Sequence, residues 1–122
     1  MNSSAKAIIP FLGSKDFQES CAFYELLGFE VKLISKGFAR TYMNGKISFY
    51  LQGAYSKEWC ENTMVFLEVE DLENQLETIL KLDLPEKFPG VKLSQIKKND
   101  WGDEFFLHDP AGILWHFGFF TS

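Results

Sequence analysis

The sequence predicts an α+β domain in which one unit, a strand, a helix and three further strands, is written twice. Three observations carry that expectation. An aspartate follows a short apolar run and opens a helix at Asp16, and the same order recurs at Asp71. Three strand-like runs follow each helix. Each unit then closes on a hairpin signal, Asn44-Gly45 in the first and Asp109-Pro110-Ala111-Gly112 in the second. A duplication of this kind places two similar halves around a shared cleft.

The elements follow in chain order. Residues 7–12 form an apolar run, read as the first strand. Asp16 with Glu19 makes a capping box, Phe17, Cys21, Tyr24 and Leu27 recur at helical spacing, and Gly28 supplies the stop. Residues 29–34 alternate as a strand, and Lys36-Gly37 is a turn. Residues 38–43 and 46–52 flank Asn44-Gly45 as a hairpin. A two-residue turn there pairs Tyr42 with Ile47, Arg40 with Phe49 and Phe38 with Leu51 on one face, leaving Ala39, Thr41, Ser48 and Tyr50 on the other. Residues 53–62 are a polar connection carrying Tyr55 and Trp59. A strand over 63–69 precedes the helix that Asp71 caps, which runs to about Leu82 with Leu72, Leu76, Ile79 and Leu80 as its apolar stripe. Pro85 and Pro89 mark a loop, 91–96 reads as a strand, and 102–108 with 113–119 forms the last hairpin. The domain divides into a first module over about 6–52, a linker over 53–62 and a second module over about 63–120.

Composition narrows the functional classes. The 122 residues form one domain, and 46% hydrophobic content with 13 Phe is ample for one core, with aromatic surface left over for a ligand cleft. The net charge is −5 and no basic run occurs, which argues against nucleic-acid binding because phosphate neutralisation needs clustered Lys and Arg. No apolar run has membrane-spanning length and no hydrophobic signal core opens the chain, so a cytoplasmic protein without membrane association is expected. Cys21 and Cys60 lack CxxC spacing, which suggests neither a disulfide scaffold nor a zinc site. No Ser-His-Asp or Cys-His arrangement and no phosphate-binding glycine loop is legible.

Three motifs carry a resemblance. They are Ile9-Pro10-Phe11-Leu12 leading to Asp16; Ser20-Cys21-Ala22-Phe23-Tyr24-Glu25-Leu26-Leu27-Gly28-Phe29; and Trp101-Gly102-Asp103-Glu104-Phe105-Phe106-Leu107-His108-Asp109-Pro110-Ala111-Gly112. In this order, and with the repeat, they resemble the vicinal oxygen chelate superfamily, which includes glyoxalase I, extradiol dioxygenases, and fosfomycin and bleomycin resistance proteins. The resemblance implies two βαβββ modules, a curved mixed sheet around a cleft with helices on its convex side, and a homodimer.

The resemblance also implies where metal ligands stand in the catalytic members. By offset from the two aspartates and the two turn glycines, those positions here are Ile9, Met64, Phe49 and His116. Only His116 suits a hard or borderline divalent ion; Ile9 and Phe49 have no donor, and a thioether is too soft. Without further ligands an open catalytic ion is not held. A displaced set of His108, His116 and Glu104 on one face of the last hairpin is the metal-dependent alternative, giving a lyase or dioxygenase.

The leading expectation is therefore the metal-free, bleomycin-resistance-like branch. It implies antibiotic resistance by non-catalytic binding or sequestration of a small, planar molecule, with no cofactor. The expected lining is Phe38, Arg40, Tyr42, Phe49 and Leu51 from the first module, and Glu104, Phe106, Leu114 and His116 from the second. Trp59 and Trp101 stand on loops at the rim. Arg40 disfavours a cationic ligand and favours a carboxylate or phosphate. A third reading is an interaction or regulatory module whose cleft is closed by its own side chains.

Overall fold

The computed structural model describes residues 3–121. Its elements are β1 (Phe11–Gly13), α1 (Phe17–Leu27), β2 (Glu30–Ser35), β3 (Phe38–Met43), β4 (Ile47–Gln52), α2 (Lys57–Glu61), β5 (Met64–Glu68), α3 (Leu72–Leu80), α4 (Leu84–Lys87), β6 (Lys92–Leu93), β7 (Lys97–Lys98), β8 (Gly102–His108) and β9 (Leu114–Phe120). The first sheet runs β1-β4-β3-β2 and the second β5-β9-β8-β6, with β7 also paired to β8. The first and last strands of each module are parallel and the rest antiparallel. The expected α+β order of strand, helix and three strands, repeated once, is present as two mixed ladders. No helix among the described residues is long and apolar enough to cross a membrane.

Local chemistry explains the helix ends. Asp16 accepts a hydrogen bond from the Glu19 N–H at 3.1 Å, and Asp71 accepts from the Asn74 N–H at the same distance. Each satisfies one of the amides that a helix start leaves unpaired. Gly28 ends α1 with φ 115°, a left-handed conformation that a side chain would oppose.

Three expectations are corrected. The connection after β4 is partly helical, because Ser56 caps α2 by accepting from the Trp59 N–H. The strand expected over 91–96 is two short pieces, β6 and β7. The first hairpin pairs Met43 with Ile47, Tyr42 with Ser48, Arg40 with Tyr50 and Phe38 with Gln52, so Asn44, Gly45 and Lys46 all lie in the loop. One extra loop residue shifts the register of β4 by one and exchanges its two faces.

That shift decides where the core sits. Ala39, Thr41, Phe49 and Leu51 now share a buried inner face in the first sheet, and Phe105, Leu107, Trp115 and Phe117 do so in the second. Phe49 meets Trp115 with ring centroids 5.5 Å apart, and Tyr24 of α1 packs on both, at 5.0 and 5.7 Å. The two inner faces and the helices thus bury one core together. The outer face of each sheet lies on the side opposite this shared core.

A polar network at the centre ties the modules. The Tyr24 hydroxyl donates to Asp109 Oδ2 and accepts from Trp115 Nε1 at 3.0 Å. Asp109 Oδ1 accepts from the Ala111 and Ile113 N–H groups at 2.8 and 2.9 Å. Burial pushes the Asp109 carboxyl above its ordinary range, opposed by these same hydrogen bonds, and burial together with Asp109 raises Tyr24 strongly. A buried carboxyl is tolerated here because its partners are all supplied by the last hairpin and α1.

Candidate functional site

The outer faces carry the candidate site. On the first module Phe11 stacks on Phe38 and Tyr50, with centroids 6.1 and 4.9 Å away, and Phe38 stacks on Tyr50 at 5.2 Å. Arg40 lies beside this group. Its Nε donates to Ser48 Oγ at 3.0 Å, and its guanidinium carbon stands 5.5 Å from the Tyr42 ring centre and 6.0 Å from that of Tyr50. Among the described residues no carboxylate is within ion-pair distance of Arg40.

On the second module Phe66 stacks on His116 at 6.1 Å and on Phe120 at 5.2 Å, and Trp101 closes against Phe120 at 5.1 Å. Phe106 meets the His116 ring edge-on at 5.1 Å. Gly118 makes this packing possible, since a Cβ there would come within 3.1 Å of both the Phe66 ring and the Glu104 side chain. His116 Nδ1 lies 2.8 Å from Glu104 Oε1, and Asn99 Nδ2 donates to Glu104 Oε2 at 3.0 Å. The buried carboxylate is thereby paired on both oxygens. With Nδ1–H directed at Glu104, the Nε2 of a neutral His116 is the acceptor. A cavity of about 310 Å³ lies alongside, lined by Lys92, Leu93, Ser94, Phe106, His108 and Leu114.

The expected lining is thus partly assembled and partly redistributed. Phe38, Arg40 and Tyr42 share the outer face of the first sheet. Glu104, Phe106, Leu114 and His116 share that of the second. Phe49 and Leu51 are buried in the core, and the one-residue register difference is the reason. Ser48 and Tyr50 take their places on the outer face. Trp59 is half-buried on α2, its ring against the spot where a Gly13 side chain would stand. Trp101 is partly exposed beside Phe66. Phe11, Phe66, Tyr50 and Asn99 were outside the sequence-based lining. Phe11 and Phe66 hold the same place before the two capping aspartates, a signal the duplication itself contained.

Metal positions can be re-matched on the ladders. Phe11 pairs with Tyr50 in the first module, and Phe66 pairs with His116 in the second, so Tyr50 rather than Phe49 is the counterpart of His116. The four positions then hold Ile9, Met64, Tyr50 and His116. One imidazole, one phenol, one thioether and one alkyl group do not suit an open catalytic divalent ion. The alternative set does not converge either, since no group of three His, Cys, Asp or Glu side chains is placed to hold a metal among the described residues. His108 instead lies by Lys92; burial and that cation lower its pKa.

No protein-family model and no curated protein matches the chain in sequence. Solved structures do match. A bleomycin-binding protein complexed with bleomycin aligns at 22% identity over 96% of this chain and 100% of its own, with a TM-score of 0.76. The bleomycin-binding protein of Streptomyces verticillus, complexed with copper(II)-bleomycin, aligns at 22% identity over 99% and 100%, with a TM-score of 0.78. TnmS3, an antibiotic binding protein from Streptomyces sp. CB03234, aligns at 15% identity over 98% and 100%, with a TM-score of 0.75. The fold is that of the vicinal oxygen chelate superfamily. At these identities the likeness fixes the fold, and the site's own residues must carry the function.

Proposed function

We propose that the protein binds and sequesters small planar molecules on its outer aromatic faces without transforming them, as bleomycin-resistance-like proteins do. The observation that carries this is the aromatic surface left open in a single chain: Phe11, Phe66 and Phe120 keep 48%, 38% and 59% of their surface exposed while stacked on neighbours. Stacked, exposed rings are a platform for a planar ligand, and their cost in water is relieved when one is covered. Each platform is open in a single chain, and in the proposed assembly a second copy closes the cleft, the first module of one chain facing the second module of the other. The proposed protein is a cytoplasmic homodimer that works on small molecules rather than nucleic acid. The metal-position residues support a holding role over metal chemistry.

Two measurements test the reading. Light scattering gives a dimer mass, and a thermal-shift screen with metal-free bleomycin and other planar heteroaromatics gives ligand-dependent stabilisation. A ligand at a hundred times its Kd adds about 2.7 kcal/mol to the folded state. A monomer, or a wide screen in which no compound raises the melting temperature, sinks the proposal.

A further inference from the structure

We propose that Arg40 is an anion-recognition residue, and that the molecule held on the first module is a planar aromatic carboxylate. The inference rests on the reading of that face as a platform for planar ligands and names the class of ligand it takes.

The argument starts from how Arg40 is held. Ser48 engages Nε, and the rings of Tyr42 and Tyr50 flank the guanidinium at 5.5 and 6.0 Å. The side chain is positioned through its inner nitrogen, and the terminal nitrogens remain for a ligand. No carboxylate among the described residues neutralises it. A planar guanidinium held in this way matches the two oxygens of a carboxylate with parallel hydrogen bonds. Tyr50 belongs to both parts of the site, flanking Arg40 and stacking on Phe38 and Phe11. A ligand ring laid on Phe38 therefore has its substituent beside Arg40. The ladder adds a second cation to this face, because Lys32 pairs with Arg40. Glu30, opposite Tyr42, is the acidic residue on the same face, and it forms no ion pair with Arg40.

The second module arranges its charges differently: its central polar pair is Glu104 with His116, and its nearby cations are lysines, Lys97 across the ladder from Glu104 and Lys92 across from His108, which lack the planar fork. Arg40 is the chain's one arginine, so paired, parallel hydrogen bonds to a carboxylate belong to the first module.

The test uses the full chain and three probes of one shape: 2-naphthoate, 2-naphthamide and protonated 2-naphthylmethylamine, followed by amide chemical-shift titration. 2-Naphthoate is expected to bind about tenfold or more tighter than the amide, the value of charge-assisted hydrogen bonds, and added salt should weaken the naphthoate alone. Arg40→Gln should remove the naphthoate's advantage over the amide and the salt dependence that goes with it, and Arg40→Lys should restore part of both. Thermal melts of both variants confirm that they fold. If the amide or the amine binds as well as the naphthoate, or if Arg40→Gln keeps the naphthoate preference, the inference falls while the platform reading stands. If none of the probes perturbs Phe11, Phe38 or Tyr50, both fall.

Discussion

The inner and outer faces of the two sheets are built from the same kinds of residue and have opposite fates. Inside, Phe49, Phe105, Trp115 and Phe117 are buried against helices, and every polar group in the Tyr24, Asp109 and Trp115 network has a partner. Outside, Phe11, Phe66 and Phe120 also stack on neighbouring rings yet remain open, with Phe38 half-buried beside Phe11. Ring stacking alone therefore does not distinguish a core from a binding platform. What distinguishes them is the second layer: the inner rings have one, and the outer rings await one. Stability should accordingly reside on the inner face and ligand affinity on the outer.

The largest separation is expected between two aromatic truncations. Trp115→Ala removes a buried ring that bridges the modules and leaves the Tyr24 hydroxyl without its donor. It should cost about 3–5 kcal/mol in chemical unfolding, or prevent folding. Phe38→Ala, on the outer face, should cost under about 1 kcal/mol while lowering the affinity for planar ligands. If both variants lose similar stability, the division between faces is wrong.

Much of this division was legible in the sequence, and the part that was not has a single physical origin. The last hairpin was readable because its two sets differ sharply: Phe105, Leu107, Trp115 and Phe117 are all apolar, while Glu104, His108 and His116 share the other side. Both helix starts followed from Asp16 and Asp71. In the first hairpin the Asn44-Gly45 pair suggested a two-residue turn, and the loop holds Lys46 as well. That one residue moved Phe49 and Leu51 inward and Tyr50 and Ser48 outward. Polarity held the corrective signal. With the longer loop, Ala39, Met43, Ile47, Phe49 and Leu51 gather on one side, broken only by Thr41, whose hydroxyl donates to the Phe49 carbonyl at 2.8 Å. Arg40, Tyr42, Ser48, Tyr50 and Gln52 gather on the other. The Asn99 bond to Glu104 had no sequence signal, because it depends on how a loop folds back.

A finer contrast holds between two tyrosines. Tyr24→Phe leaves a buried Asp109 oxygen and the Trp115 N–H each without its hydroxyl partner, and should cost about 2 kcal/mol. Tyr50→Phe keeps its ring in the outer stack and should change stability by less than about 0.5 kcal/mol. Equilibrium unfolding of the two variants in parallel checks this. Equal losses would mean that the network does not join the modules as its geometry indicates.

The smallest expected effect is one of pH, at the rim of the second platform. Burial first and Lys92 second lower the pKa of His108 from its ordinary 6.5. In the window just below 6.5 the unfolded chain takes up a proton that the folded chain refuses. Folding stability from this residue is therefore complete above 6.5 and is lost as pH falls through the lowered folded value. His108→Gln removes that uptake. Unfolding free energies measured across the acid limb should fall less steeply for the variant than for the parent, and the two curves should run parallel above neutrality. A variant as acid-sensitive as the parent would show that His108 is no less basic in the folded protein than in the unfolded chain, and that the cavity beside Phe106 and Leu114 is wetter than its apolar lining implies.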